Sequence, residues 1–262
     1  MNVLVRDELR AILARTYAEI LRPGMRDALE WKADRSILTA GDRAAHKLIR
    51  AGLSRRFPLV PIVSEEDATP RIDGQGRSFV IDPIDGSEAY CRGYPNWAIS
   101  ICMVKDNIPT VGAVLSGATG QVTDAIAGEG CFQGNRRLTI AQSNVADREV
   151  TCIAARNVPL RPGILKSFAD AFWSAETRLV TPALGLAQVA AGELDGVLFD
   201  RLMPWDIAAG VLLVREAGGV VDDLLGNPFT LDSSALIAGR SATAKRIGVN
   251  WRELVSPVEN AT

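Results

Sequence analysis

Residues 78–87 read Ser-Phe-Val-Ile-Asp-Pro-Ile-Asp-Gly-Ser, an apolar run that leads directly into two aspartates, a glycine and a serine. Pro83 has no N–H group and fixes the turn, so the Ile84 carbonyl can face a cation held between the two aspartates. Gly86 lets the backbone approach a ligand closely. The amides of Gly86 and Ser87 suit a phosphate group, because successive N–H groups form an anion-binding nest. This stretch therefore predicts a strand that ends in a site for a cation and a phosphate.

Two further acidic groups occupy comparable places in the chain. The run at 64–67, Ser-Glu-Glu-Asp, follows an apolar segment, and Asp206 lies in Pro-Trp-Asp at the start of an apolar helix. Converging carboxylates repel one another and lose hydration, so they need a cation between them. Hard oxygen ligands favour magnesium. Asp-Pro and Asp-Gly are also ordinary turn dipeptides, and an acidic run is often only a solvated surface. Three such groups together favour the metal site.

The composition is that of a globular chain. Its 262 residues are 47% hydrophobic and 23% charged, which excludes intrinsic disorder, collagen and coiled coil. A net charge of −2 and a pI near 5.6 give no basic footprint, so we expect no nucleic-acid polymer as partner. No apolar run reaches the roughly 18 residues of a membrane span, and the acidic N-terminus is unlike a signal peptide. We therefore expect a soluble, cytoplasmic protein with no membrane partner.

Cysteine and histidine usage narrows the chemistry further. No two cysteines form a Cys-x-x-Cys pair, so we expect buried, reduced side chains in place of a zinc site. His46 is the single histidine, which excludes a histidine-rich metal site. Its helical surroundings predict a surface or half-buried position without chemistry. Catalysis would rest on carboxylates, hydroxyls and backbone groups.

The order of predicted elements divides the chain into two lobes of a mixed α/β (α+β) protein. Residues 1–148 show two helices, near 5–20 and 39–55, followed by an extended sheet with a hairpin turn at Asp106-Asn107. Residues 149–262 alternate strands and helices. The predicted helices of this lobe are 163–175, 182–191 and 204–217, and the predicted strands are 150–155, 178–180, 196–199, 219–221 and 235–238. No linker separates the lobes, so we expect one tightly packed unit with a ligand cleft between them.

Five motifs follow one another in a fixed order over most of the chain. They are the segments 32–42, 65–66, 82–87, 205–210 and 216–219. Together they resemble the signature of the inositol monophosphatase superfamily. The resemblance implies a layered αβαβα sandwich and a magnesium-dependent, lithium-sensitive phosphomonoesterase that acts on a small-molecule phosphate ester. It also implies two or three Mg²⁺ ions and a homodimer.

The resemblance assigns the metal ligands. Those it implies are Glu66, Asp82, the Ile84 carbonyl, Asp85 and Asp206. Glu66 and Ile84 would bind the first ion, and Asp85 and Asp206 the second. Asp82 would bridge the two ions.

The resemblance also assigns a pair that helps polarise the attacking water. Asp42 and the Ser87 hydroxyl would form this dyad, with Glu66 nearby, and the amides of Gly86 and Ser87 would bind the phosphate. Ser87 stands where the family usually has threonine, and it keeps the hydroxyl. Asp42 also fits a structural role, because an acid three residues after Thr39 completes a helix capping box. Both roles can hold at once.

Substrate choice depends on two positions where the chain departs from the inositol phosphatases. Phe199 stands where those enzymes have an acid that contacts the polyol, and it could offer a stacking face to a base or be a buried strand-end aromatic. Thr181 could contact substrate or cap the helix that starts at Pro182. The segment 57–67 is similar to the 3'(2'),5'-bisphosphate nucleotidases, and 93–97 is similar to histidinol-phosphate phosphatases. We predict a nucleotide bisphosphatase, with inositol-1-monophosphatase, histidinol-phosphate phosphatase and a non-catalytic binding protein as alternatives.

Overall fold

The structure is a computed structural model that describes residues 2–32, 37–68, 72, 74–140, 150–154 and 180–255. These residues form both helices and strands, and the longest run of consecutive strands lies between residues 98 and 154. The helices are α1 (Asn2–Ile20), α2 (Ala40–Arg56), α3 (Ser87–Cys91), α4 (Pro182–Ala191), α5 (Pro204–Glu216) and α6 (Ser241–Val255). The strands are β1 (Ala28–Trp31), β2 (Ile37–Thr39), β3 (Ile62–Ser64), β4 (Arg77–Asp85), β5 (Ala98–Lys105), β6 (Ile108–Ser116), β7 (Val122–Ile126), β8 (Gly130–Gln133), β9 (Arg136–Leu138), β10 (Thr151–Ala154), β11 (Gly196–Asp200), β12 (Val220–Asp222) and β13 (Ala235–Gly239).

The described elements stack in five layers. Helices α1 and α2 cover one face of a seven-stranded sheet with the order β3-β4-β5-β6-β7-β8-β9, and α4 and α5 cover its other face. A four-stranded sheet with the order β10-β11-β13-β12 packs on the far side of α4 and α5. Its outer face carries α6, since Gly196 of β11 lies against Ile247 of α6 while Phe199 of β11 lies against Gly185 of α4. The predicted αβαβα layering is confirmed.

An ion pair connects helix α1 to the large sheet. Its two residues are 114 positions apart in the sequence. Arg10 holds the carboxylate of Asp124 on β7 with two nitrogens, at 2.6 and 2.9 Å. The Asp124 side chain is fully buried, and Arg6 adds a more distant contact at 3.9 Å. A buried carboxylate needs such partners to remain charged.

Residues 78–87 form most of β4 and the turn that follows it. The strand continues through Asp85, four residues beyond the apolar run where the sequence predicted it to end. Its pairing with β5 is irregular between Asp82 and Asp85, which face Ser100 and Ala98 respectively. Pro83 cannot donate to the ladder, so the irregularity falls where a hydrogen bond would be missing anyway.

Strand β3 brings the second acidic group beside the first. It runs parallel to β4, with Ser64 opposite Ile81. The carboxyl ends of parallel neighbours meet at one edge of a sheet, so the turn that follows Ser64 lies next to Asp82. The Glu65 amide donates to the Ile81 carbonyl at 3.3 Å and ties the two strand ends together.

Several elements depart from the sequence prediction. The hairpin β1–β2 and the closing helix α6 were not predicted; the chain had been expected to close on the strand at 235–238. The predicted helix 163–175 and residues 178–179 of a predicted strand lie outside the described residues, and residue 180 is not in a strand. The predicted lobe boundary at 148–149 also lies outside the described residues and stays a prediction.

Candidate active site

Three of the predicted site acids each complete the start of a helix. Each uses one carboxylate oxygen to accept a main-chain N–H at 2.8 Å. Asp42 caps α2 through Thr39 N, Asp85 caps α4 through Ala183 N, and Asp206 caps α5 through Met203 N. The partial positive charge at a helix N-terminus favours ionised carboxylates there.

Asp42 uses its second oxygen for a long-range contact. The Ser87 hydroxyl donates to Asp42 Oδ1 at 2.8 Å and also lies 3.2 Å from the Ile84 carbonyl oxygen. Burial raises the pKa of Asp42, while the hydrogen bonds from Thr39 and Ser87 lower it. The pair predicted from the sequence is therefore brought together, and the capping role of Asp42 is confirmed with it.

Asp82 is a buried carboxylate whose hydrogen bonding is incomplete among the described residues. It is 1% exposed, and its Oδ1 has no hydrogen-bond partner among the described residues. Burial raises its pKa well above the usual range, and the charges of Glu65 and Asp85 raise it further. A buried, unsatisfied carboxylate oxygen is costly unless a ligand completes it.

Asp85 lies beside the start of α4 and is almost as buried. Burial raises its pKa to about 7, against the lowering effects of the Thr181 hydroxyl and the Ala183 amide. The Thr181 hydroxyl is itself buried and makes no hydrogen bond of normal geometry to the residues that the structure describes, although it is near enough to favour the charged form of Asp85. Thr181 thus precedes Pro182 as predicted but does not cap the helix through its side chain; Asp85 supplies that cap.

Gly86 is required by both conformation and space. Its φ is +94°, in the left-handed region, and a Cβ would lie 2.5 Å from Thr181 Cγ2 and 3.1 Å from the Asn96 carbonyl oxygen. No other residue fits such a backbone this close to its neighbours. The turn from β4 into α3 is therefore fixed, and the Ser87 hydroxyl with it.

Lys32 is a site residue to which the sequence analysis gave no role, although it opens the first of the five motifs. Its ammonium group lies 2.9 Å from Glu65 Oε1 and 2.8 Å from Glu66 Oε1. Burial lowers the pKa of Lys32, but Glu65 and Glu66 raise it above its ordinary value. Burial raises the pKa of Glu66, and Lys32 opposes that. The lysine therefore neutralises the acidic turn from one side.

The site residues fit a divalent cation of the magnesium type. The charges of Asp85 and Asp206 both act on Asp82, and the Asp82 oxygen that has no partner among the described residues needs a positive neighbour. In the described part of the chain, no three acidic, histidine or cysteine side chains are grouped so that they could hold a metal ion by themselves. Magnesium keeps several waters and takes only one or two protein carboxylates with substrate oxygens, so an open set of this kind suits it.

An open cleft of about 420 Å³ adjoins the acidic turn. It is lined by Glu30, Lys32, Leu38, Arg43, His46, Glu65, Glu66 and Asp67. The lining mixes both signs of charge and contains one apolar side chain. Glu66 therefore faces solvent-accessible space, whereas Asp82 is enclosed.

Phe199 is not part of this surface. Its side chain is 1% exposed and packs in the core against Gly185 of α4. The expected substrate contact at Phe199 is corrected accordingly: an aromatic ring on an inward-facing strand position is buried between sheet and helix. Asp200, the next residue, is half-buried at the end of β11.

His46 and the cysteines lie much as the sequence suggested. His46 is half-buried on α2, and its Nδ1 is 2.9 Å from the buried Ser64 hydroxyl. Burial lowers the pKa of His46, Arg50 lowers it further, and Asp67 opposes both. All four cysteines are free: Cys102, Cys131 and Cys152 are buried, and Cys91 is half-buried.

Comparison with known proteins supplies a context for this geometry. The sequence model of the inositol monophosphatase family matches residues 6–254. Inositol-1-monophosphatase of Mesorhizobium japonicum is 29% identical over 264 residues, covering 94% of each chain. Nus factor SuhB of Escherichia coli is 30% identical over 268 residues, covering 98% of this chain and 97% of that one.

Solved structures agree with the sequence comparisons. The structure of an IMPase from Thermotoga maritima superposes with a TM-score of 0.82 at 27% identity, covering 97% of this chain and all of that one. Among the described residues, no helix is long and apolar enough to span a membrane.

Proposed function

The chain belongs to the inositol monophosphatase family, and we propose that it hydrolyses a small-molecule phosphate monoester with magnesium as cofactor and water as nucleophile. The family is one of phosphatases, so hydrolase chemistry is the starting point. The observation that carries the proposal is Asp82, a buried carboxylate near Glu65, Asp85 and Asp206, one of whose oxygens has no hydrogen-bond partner in the described part of the chain. Such a group is stable in its charged form only next to a cation.

The proposed ligands of two or three magnesium ions are those that the family resemblance implied. They are Glu66, Asp82, the Ile84 carbonyl, Asp85 and Asp206. Bound magnesium would neutralise the ester, lower the pKa of water and stabilise the departing alkoxide. The irregular pairing of β4 near Ile84 supports a ligand role for its carbonyl, because that stretch lies outside the regular ladder.

Asp42 and Ser87 would orient the attacking water. Ser87 has one hydroxyl hydrogen, which it gives chiefly to Asp42, so the Ser87 oxygen keeps its lone pairs for a water hydrogen. Asp42 is held in place by the first turn of α2, which leaves it little freedom to rearrange. Positioning of this kind suits phosphoryl transfer, where a loose transition state leaves most of the catalysis to orientation and charge.

The backbone at Gly86 and Ser87 would bind the phosphate. The left-handed conformation of Gly86 followed by helical residues is the geometry of an anion-binding nest. Gly86 has no side chain between the backbone and a ligand. Oxygens of the ester could then approach the main-chain amides while the reacting water stays near Ser87.

Inositol 1-phosphate is the first substrate to test. The preference for a nucleotide bisphosphate rested partly on Phe199 as a stacking wall, and the burial of Phe199 removes that support. A relative that matches over 94% of its length bears the name of an inositol-1-monophosphatase. Asp200, next to the buried phenylalanine, is the acid of β11 that could take the place of the missing polyol contact.

Phosphate release from a substrate panel tests the proposal. The panel contains inositol 1-phosphate, 3'-phosphoadenosine 5'-phosphate, histidinol phosphate and fructose 1,6-bisphosphate. We expect release that depends on magnesium, stops with a chelator and is absent from the D82N variant. Equal release in chelator, or release by D82N, would refute magnesium-dependent catalysis at this site.

A non-catalytic role is the second candidate. It is favoured by the 30% identity to a protein whose name, Nus factor SuhB, describes no hydrolase. Failure of the purified chain to release phosphate from every ester, together with intact magnesium binding, would favour this candidate. The homodimer, the cytoplasmic location, the sensitivity to lithium and the exclusion of nucleic-acid partners stay predictions.

A further inference from the structure

The acidic turn at 64–67 is closed at both ends by its own residues. The Ser64 amide donates to Asp67 Oδ2 at 2.9 Å, and the Asp67 amide donates back to the Ser64 carbonyl at 3.1 Å. Glu65 and Glu66 lie between these two hydrogen bonds. The turn is therefore a compact unit that presents Glu66, and its orientation depends on what holds Ser64 and Asp67.

Helix α2 holds both of these residues. His46 Nδ1 lies 2.9 Å from the Ser64 hydroxyl, and Arg50 donates to Asp67 Oδ1 at 2.6 Å. The Ser64 hydroxyl also accepts the Glu66 amide at 3.3 Å. One hydroxyl thus joins the helix to the backbone of the proposed metal ligand.

The side chains that make these contacts form one row on α2. Asp42, His46 and Arg50 are spaced by four residues, so they lie one above the other on a single face of the helix. Asp42 at the start of the row contacts Ser87, and the two later members contact the acidic turn. A single rigid helix thereby fixes the distance between the dyad and Glu66.

A direct chemical role for the Ser64–His46 pair does not fit the burial. A serine beside a histidine can be a nucleophile and its base. Ser64, however, is completely buried, so no substrate can reach its hydroxyl. The pair therefore serves to hold structure.

We propose that His46 and Arg50 are positioning residues that fix the acidic turn on α2, so that Glu66 is held ready for magnesium. This inference rests on the proposed function, because it takes Glu66 as a metal ligand. His46 acts through Ser64, and Arg50 acts through Asp67. This role requires no contact of either side chain with the ester or the water.

Metal binding to the substrate-free protein tests the inference without relying on turnover. Free Mn²⁺ is titrated against protein and followed by electron paramagnetic resonance for wild type, H46L, H46N and R50M. We expect H46L to weaken Mn²⁺ binding about 10-fold, the scale on which outer partners of metal ligands act. H46N should recover most of the affinity, because its side-chain amide reaches the place of Nδ1. K47L, an exposed neighbour on the same helix, is the matched control and should bind as wild type does.

A double-mutant cycle identifies the route. If His46 acts through Ser64, H46L should weaken binding strongly in wild type and hardly at all in the S64A background. Equal effects in both backgrounds would overturn this route. R50M tests the positioning role independently if H46L fails to fold. It should weaken Mn²⁺ binding equally in wild type and in the S64A background.

The two possible failures are distinguishable. Wild-type protein that neither binds Mn²⁺ nor releases phosphate would refute the proposed function, and the positioning role would fall with it. Wild-type protein that does both, while H46L and R50M retain full affinity for Mn²⁺, would refute the positioning role alone.

Discussion

The hydroxyl of Ser87 donates to Asp42 Oδ1 at 2.8 Å, across 45 residues of sequence. The other oxygen of Asp42 accepts the Thr39 amide and holds the first turn of α2. One carboxylate therefore links the start of a helix to the turn that follows β4. Changes at Asp42 and Ser87 can separate its structural role from its chemical role.

Removal of either dyad member should lower turnover far more than stability. We expect S87A and D42N each to reduce kcat about 10²-fold with little change in KM, the usual scale for a positioned proton-transfer group. An asparagine at 42 can still accept the Thr39 amide, but it then offers Ser87 a donor in place of an acceptor.

The conservative variant S87T is the control for the dyad. It keeps the hydroxyl and carries the residue usual in the resembled family, so kcat should stay near wild type. Steady-state kinetics with thermal melts would check the series. A D42N variant that melts lower yet turns over normally would show that Asp42 is only a helix cap.

The metal-free protein should gain stability from D82N above about pH 4. Because the folded-state pKa of Asp82 is raised, its ionised form costs stability once the pH exceeds the unfolded pKa, and the cost is complete above the folded pKa. In chelator at pH 8 we expect the Tm of D82N to exceed that of wild type by about 3 °C or more. Below about pH 4 the difference should vanish, because the acid is protonated in both states.

In magnesium, the Tm of wild type should exceed that of D82N. The ion stabilises the folded wild type by binding it, whereas D82N lacks the buried charge and should show a smaller Tm shift. Melting curves in chelator and in magnesium give both comparisons. A Tm below wild type for D82N in chelator at pH 8 would mean that the ionised Asp82 is already compensated within the protein.

Loss of Lys32 should destabilise the metal-free protein. K32M leaves Glu65 and Glu66 without their shared cation, so we expect a loss of about 1 kcal/mol in the free energy of unfolding. Magnesium should restore more stability to K32M than to wild type. K47M, which removes an exposed lysine of α2, is the control. It should change neither the free energy of unfolding in chelator nor the stability gained with magnesium. Identical urea curves for K32M and K47M in chelator would contradict the bridging role.

The ion pair between α1 and β7 should be one of the larger local contributions to stability. R10M leaves the buried Asp124 with only the distant Arg6, and we expect a cost of about 3 kcal/mol. R15M removes a mostly exposed arginine of the same helix and should cost less than about 0.5 kcal/mol. Urea unfolding measures both. D124N in the R10M background should recover part of the loss, because it removes the buried charge.

The local features of the fold could be predicted because they depend on neighbouring residues. Thr39 and Asp42 form the predicted capping box, and Asp106 and Asn107 adopt the positive φ values of a tight hairpin. The acids of the candidate site could be proposed from the sequence because their residue types and the order of their motifs resemble those of one superfamily.

The features that sequence reasoning missed are contacts between distant segments. Pro182 begins α4 as predicted, but the cap comes from Asp85, 98 residues earlier. Lys32 and His46 were read within their own segments, and their partners Glu66 and Ser64 belong to another. Phe199 replaces an acid in the motif, yet the alternation of β11 turns its ring into the core. Register and packing decide such contacts, and no short pattern encodes them.

Three aspartates of the candidate site also cap helices. Their presence in a related protein is therefore weak evidence that the protein is an active phosphatase. Asp42, Asp85 and Asp206 each cap a helix, so we expect selection for folding alone to retain them even where enzymatic activity is lost. Among the described residues Asp82 and Glu66 cap no helix, and we expect the buried charge of Asp82, close to other acids, to destabilise the fold unless a cation is bound. We therefore expect Asp82 and Glu66, more than the three capping aspartates, to be the positions whose loss accompanies loss of phosphatase activity in proteins of this fold.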